Sequence, residues 1–173
     1  KQQGILIIHL NVDSKCPWTI HSNGNKIAHL MKSHDINLIH VRSRAPAWST
    51  EIACKQTQTP WISTYHGAYK QSNWLKKRYN QIIVRANKVI APSHFMYEHI
   101  LSHYPTCKQR LTTIVRGIDC EQFTPITQQD QACKKLQQQW QISPDTTVLL
   151  MPARVTRLKG HLVCIDAISH LLT

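Results

Sequence analysis

This chain is short of acid. It carries 9 Asp and Glu against 21 Lys and Arg, a formal charge of +12. From Ile52 to Tyr97 there is no acidic residue at all, while Lys55, Lys70, Lys76, Lys77, Arg78, Arg85 and Lys88 all fall in that stretch. Such an imbalance favours an anionic partner (nucleic acid, nucleotide, phospholipid or sugar phosphate) or a solvated basic face, and says nothing about fold. Other absences exclude more. No apolar run approaches the roughly 20 residues that span a bilayer. The first residues lack the charged n-region and apolar h-region of a secretory signal. Six cysteines are scattered without a C-x-x-C pair, which reads as reduced cytosolic thiols and not a disulfide scaffold. There is no low-complexity tract and no internal repeat, so disorder and solenoids are set aside. No G-x-S-x-G elbow or Walker loop occurs. His99 and His103 share i, i+4 spacing with Cys107 nearby, but the zincin Glu and a fourth ligand are missing, so no metal is expected.

What is present is a βα alternation. The 173 residues, 42% hydrophobic, suffice for one core and part of another. Short apolar runs at Ile5–Leu10, Ile36–Val41, Trp61–Tyr65, Lys88–Ala91, Leu111–Val115 and Val148–Met151 read as strands. Helical stretches separate them: Thr19–Lys32, with Ile20, Ile27, Leu30 and Met31 on one side, then Ala47–Gln56, Asn73–Ala86 and His94–His103. The last begins behind Pro92-Ser93, an N-cap signal. This pattern predicts an α/β fold with a parallel sheet covered by helices on both faces. Gln128–Trp140 is polar and helix-compatible, with turns marked by Pro125 before it and Ser143-Pro144 after it. A boundary is therefore expected between a first domain, 1–127, and a truncated second one, 145–173, joined by 128–144. Both ends look cut, so a longer polypeptide is expected.

Chemistry gathers where strands end. Ala153 to Gly160 reads ARVTRLKG, between an apolar strand-like run and a helix-like run. Such a loop opens on the usual ligand crevice of an α/β sheet. Arg154 offers a fork of donors and Lys159 a point charge, and unpaired N–H groups at a helix start attract anions. Arg157 reads as a solvent-facing base. Arg42, Ser43 and Arg44 follow another strand, where two bases with a hydroxyl either hold an anionic acceptor or pair with a carboxylate elsewhere. His66-Gly67 follows a third. Aromatic residues Trp48, Trp61, Tyr65, Tyr69 and Trp74 either line a sugar groove or pack the core, the latter favoured for Trp61.

Five motifs occur in order: HVRSRAPAW (His40–Trp48), TYHGAY (Thr64–Tyr69), VIAPSHF (Val89–Phe95), RGIDCEQFTP (Arg116–Pro125) and PARVTRLKGH. Together they resemble bacterial family 4 glycosyltransferases of the GT-B type. The resemblance implies two Rossmann-like domains facing a cleft: most of an acceptor-side N-terminal domain and the start of a donor-binding one. It implies hexosyl transfer from a nucleotide-diphosphate sugar to a cell-envelope acceptor, lipopolysaccharide-type or lipid-linked, with retention and without a metal or other cofactor. Catalytic roles fall to His66, Arg154 and Lys159. Donor contacts fall to Gly67, Ser93, Gly117, Arg154 and Lys159, with Asp119 near the cleft. Arg42, Ser43, Arg44 and Tyr69 become acceptor-side candidates. The enzyme is expected in the cytoplasm, touching the anionic inner face of the membrane.

Two features of that family are absent. There is no Gly-rich loop after the first strand, and no late glutamate pair, so the 173 residues alone are not expected to turn over. Two rival readings remain: a basic α/β nucleic-acid-binding module, which lacks any RNP or helix-turn-helix signature, and an inactive remnant of the enzyme.

Overall fold

A computed structural model describes residues 4–69, 71–124, 131–143 and 145–171. Pro125 and Pro144, two of the turn markers, lie outside these, as does Lys70. The chain divides into two compact units, Lys1–Ile118 and Asp119–Thr173.

The first unit runs α1 (Pro17–Ser33), β1 (Ile39–Val41), α2 (Arg44–Thr57), β2 (Trp61–Thr64), α3 (Trp74–Asn80), β3 (Lys88–Ala91), α4 (His94–His103), β4 (Leu111–Thr113). The four strands form one parallel sheet in the order β1-β2-β3-β4, flanked by helices. Register is set by Ile39↔Trp61, Ile62↔Lys88 and Val89↔Leu111. Parallel neighbours require a crossover each, and the helices between strands supply it. Tyr65, Ile82, Ile83, Val89 and Ile100 are fully buried and make the core.

Local chemistry explains most boundaries. Ser93 Oγ accepts from Met96 N at 3.2 Å and starts α4; Asn73 Oδ1 accepts from Lys76 N at 2.8 Å and starts α3. The expected long helix Asn73–Ala86 is broken: α3 stops at Asn80 and a 3₁₀ turn covers Gln81–Arg85. That turn holds the β-branched run Ile82-Ile83-Val84, poor in helix preference. Its Ile83 carbonyl accepts from the buried Ser63 Oγ at 2.5 Å, so it is served without a helical ladder.

Two expected strands are corrected. Ile5–Leu10 and Val148–Met151 are unpaired and largely exposed. A short apolar run becomes a strand only when a neighbouring strand satisfies its backbone, and among the described residues no strand pairs with either run. The apolar face of α1 is also shifted. Ile20, Ile27 and Leu30 are only partly covered, while Asn23, Gly24, Ala28 and Met31 are buried. Small residues let α2 come close. Ser49 Oγ donates to the Ile20 carbonyl at 3.1 Å, and Gln56 Nε2 to Asn25 Oδ1 at 2.8 Å.

The second unit contains α5 (Gln131–Gln139) and α6 (His161–Leu171). No described residue in it is buried. All six cysteines are free, and burial pushes the Cys54 thiol up to about 11, so it stays protonated and unreactive.

The α1–α2 contact generates a test. A Cβ at Gly24 would lie 2.7 Å from Ile52 Cγ2 and 3.2 Å from the Ser49 carbonyl oxygen. Gly24→Ala is expected to lower stability by about 1–3 kcal/mol through overpacking, despite the better helix propensity of Ala. Urea denaturation followed by circular dichroism checks it. An unchanged or raised midpoint means the helices can part without cost.

Candidate functional site

Because the strands are parallel and in register, their carboxyl ends lie side by side. The residues that follow β1, β2 and β4 meet there. His66 stands at the centre. Arg42 Nε donates to its Nε2 at 2.9 Å, and an Arg116 terminal nitrogen lies 2.5 Å from its Nδ1. Arg42 and Arg116 are exposed and His66 is half-buried. Two guanidiniums thus flank one imidazole. A neutral imidazole offers a single acceptor nitrogen, and the other carries hydrogen. Both contacts cannot be hydrogen bonds in one tautomer. Burial first, then the charges of Arg42 and Arg116, hold the His66 pKa below its ordinary value.

His66 is placed by its neighbours in the chain. Tyr65 is fully buried and its N–H bonds the Ile90 carbonyl at 3.0 Å, beyond the end of β2. One strand over, His40 Nε2 and Thr64 Oγ1 are 2.8 Å apart. Gly67 and Gly117 border the cluster, and a Cβ on either would meet nothing within 4 Å. The backbone there is open to a ligand.

Arg44 sits apart from Arg42. Its guanidinium lies 3.8 Å from the Tyr69 ring centroid, and its NH1 donates to Asn80 Oδ1. A cation on an aromatic face and a charge-assisted bond to a buried amide fix both Arg44 and Tyr69. Tyr69 packs in turn on Tyr65, with ring centroids 4.8 Å apart. Ser43, which precedes α2, makes no side-chain cap bond and is exposed. Ser93 Oγ is occupied as the cap of α4. The five aromatics do not form one groove: Trp61 and Tyr65 are core, Trp48 stacks on Tyr79 at 6.1 Å, and Trp74 is 71% exposed.

In the second unit, Arg154 and Lys159 bracket a short turn. Arg157–Lys159 is 3₁₀, and Gly160, with φ +76°, turns the chain into α6. That left-handed angle suits glycine. Both bases are exposed, and neither enters an ion pair among the described residues. Asp119 Oδ1 accepts from the N–H groups of Glu121 and Gln122, both at 3.0 Å, so it shapes a turn. Among the described residues no group of three or more His, Cys, Asp or Glu is arranged to hold a metal ion.

Arg116 and His40 escaped the sequence reading. Arg116 was visible only as the first letter of a motif. Nothing in spacing places it on His66, 50 residues away.

Comparison with known proteins points to one family. A family model described as Glycosyltransferase Family 4 matches residues 5–122. A crystal structure of a glycosyltransferase from Rickettsia africae ESF-5 is 37% identical, with a TM-score of 0.78, over 96% of this chain. The chain spans only 44% of the length of that relative. No curated protein matches.

The cluster makes a prediction about acid. The His66 pKa is lowered in the fold, so below the ordinary imidazole range the unfolded chain binds a proton that the folded one refuses. Acidification through that range therefore lowers stability. Arg42→Gln and Arg116→Gln should each move the His66 pKa back upward, and the pair further. Histidine-resolved NMR titration reads it. No shift in either variant would mean that burial alone sets the value.

Proposed function

The chain belongs to glycosyltransferase family 4, and from that premise we propose that it serves sugar transfer from a nucleotide-diphosphate donor to a cell-envelope acceptor. Membership makes it a transferase, with a sugar donor and a sugar acceptor as its general partners. Residues 1–127 are read as the acceptor-side domain, 128–144 as the linker with its helix, and 145–173 as the start of the donor-binding domain.

One observation carries the donor reading. Arg154 and Lys159 flank a glycine-closed turn at the start of α6, exposed and unpaired among the described residues. Bases at a helix N-terminus oppose its dipole, and a bound anion relieves the conflict. A diphosphate fits a fork of donors and a point charge set either side of it. As the bond between anomeric carbon and phosphate oxygen breaks, its electron pair passes to the diphosphate. Arg154 and Lys159 then stabilise the growing charge without reorganising. The acceptor hydroxyl forms the new bond to the anomeric carbon and loses its proton. Retention is read from the family resemblance. Two cations neutralise the leaving group, so no metal or other cofactor is invoked.

On the acceptor side, His66 is read as the donor to a hydroxyl of the transferred sugar, beside the open backbone of Gly67 and Gly117. Ser43 is exposed toward the acceptor, and Arg42, bonded to His66 through Nε, keeps its terminal nitrogens for it. Arg44 and Tyr69, held on one another, support that surface and border it. Ser93 supports the donor side by fixing the start of α4.

In the enzyme that contains this chain, Arg154→Ala and Lys159→Ala are each expected to lower turnover on the order of 10²–10³-fold, with unchanged melting temperature. Transfer from a panel of nucleotide-diphosphate sugars, followed by mass spectrometry, measures it. Wild-type rates in either variant would remove the clamp from the mechanism.

The enzyme is read as working in the cytoplasm against the inner membrane face. No helix among the described residues is long and apolar enough to cross a membrane. Instead α3 presents Trp74, 71% exposed, and Leu75, 58% exposed, beside exposed Lys76, Lys77 and Arg78. Aromatic and aliphatic side chains next to bases suit an anionic interface, each base adding about 1 kcal/mol near the surface. The field is weaker than the sequence suggests, because Glu51 pairs with Arg85 at 2.9 Å and Lys55 at 3.6 Å. Sedimentation with anionic liposomes should exceed that with neutral ones and fall on Trp74→Ser with Lys76→Gln. A gel-shift with RNA in parallel distinguishes the nucleic-acid reading: RNA binding without lipid preference would replace the membrane assignment.

A further inference from the structure

We propose that Arg42, His66 and Arg116 form a binding site for a phosphate group carried by the sugar acceptor. The inference rests on the glycosyl-transfer reading only for the identity of the molecule that carries the phosphate.

The cluster has too many donors. Each guanidinium presents five N–H groups and no acceptor, and the imidazole between them offers one acceptor nitrogen. Arg42 takes it at Nε2. Nδ1 then carries hydrogen, and the Arg116 nitrogen beside it faces another donor. A carboxylate would resolve the clash, yet among the described residues every ion pair is made by Glu51, far along α2 from this edge. The charge of the cluster is therefore unbalanced within the described fold.

An oxyanion settles every term. One oxygen accepts from His66 Nδ1–H, and the others take the forks of Arg116 and Arg42; with Arg42 drawn to the anion and the imidazole charged, Nε2–H is left for the hydroxyl of the transferred sugar. A phosphate, with three terminal oxygens, can engage both forks and the imidazole N–H; a carboxylate satisfies one fork fully and leaves the second Arg with less. The approach is open, because both arginines are exposed and neither Gly67 nor Gly117 has a side chain to block it. Arg44 is not a member, since Asn80 and Tyr69 hold it. The donor's own diphosphate is assigned to Arg154 and Lys159, so this second oxyanion site falls to the acceptor.

The test uses the 173-residue chain and inorganic phosphate, with chloride matched for ionic strength. Histidine ring signals are followed by NMR. Millimolar phosphate should shift His66 saturably and raise its pKa, because the anion offsets the two guanidiniums. Arg42→Gln and Arg116→Gln should each weaken phosphate at least about tenfold, the scale of one lost charge-assisted bond. Arg42→Lys, which keeps the charge and loses the fork, should fall between. Retained backbone spectra show that the variants fold. A His66 response equal to that in chloride, or equal affinity in the glutamine variants, overturns the site. In the enzyme that contains this chain, saturating uridine diphosphate should leave the phosphate response in place; displacement would overturn the acceptor assignment. Failure of the transfer reading shows separately, as absence of sugar transfer by the enzyme while phosphate still binds here.

Discussion

Parallel registration of four strands is the constraint from which the rest of the first unit follows. Once Val41 pairs with Ser63, Thr64 with Ile90 and Ala91 with Thr113, every strand ends on the same edge. The ladder runs slightly past the strands: Tyr65 N–H reaches the Ile90 carbonyl and Ile114 N–H the Ala91 carbonyl, both at 3.0 Å. These extra bonds fix the backbone one position before His66 and two before Arg116. That is why Arg42, His66 and Arg116 converge, though they are 24 and 50 positions apart in sequence.

Burial under that edge makes the convergence rigid. Tyr65 is fully covered, and burial pushes its phenol well above the usual range. Tyr104 is pushed up to about 12 by burial, and its hydroxyl donates to the Lys77 carbonyl at 3.2 Å. These rings act as neutral packing with a polar tip. Arg44 ties the same region together through Tyr69 and Asn80. Arg44 is thereby held as a strut, while its near neighbour Arg42 turns to His66.

Positive charge is distributed by the same packing. Glu51, midway along α2, gathers Arg85 and Lys55. Arg42 and Arg116 stand at the carboxyl ends of the strands, with no such partner among the described residues. Exposed pairs give little stability, so the acid of Glu51 matters mainly for where the field remains.

The sequence by itself determined the α/β class, the parallel sheet and the order of its elements. The short apolar runs of β2 to β4 and the cap at Ser93 are local signals, and local physics answered them. The motifs also announced His66, Arg154 and Lys159 as residues in loops after apolar runs. Tertiary structure decided the rest. Ile5–Leu10 and Val148–Met151 have strand composition, yet a strand exists only with a partner's backbone to bond. Ile82-Ile83-Val84 leaves the α-helix because Ser63 serves its carbonyl from across the core. The face of α1 centres on Gly24 because Ile52 comes close, which no helical period reveals. Arg42 and Arg44, two letters apart, receive different fates because one side chain turns to His66 and the other to Asn80. Arg116 joins the site only because β4 lies two strands from β2. Side-chain period and capping are encoded over a few residues, whereas contact across a sheet depends on register, and register is fixed only when the whole sheet has formed.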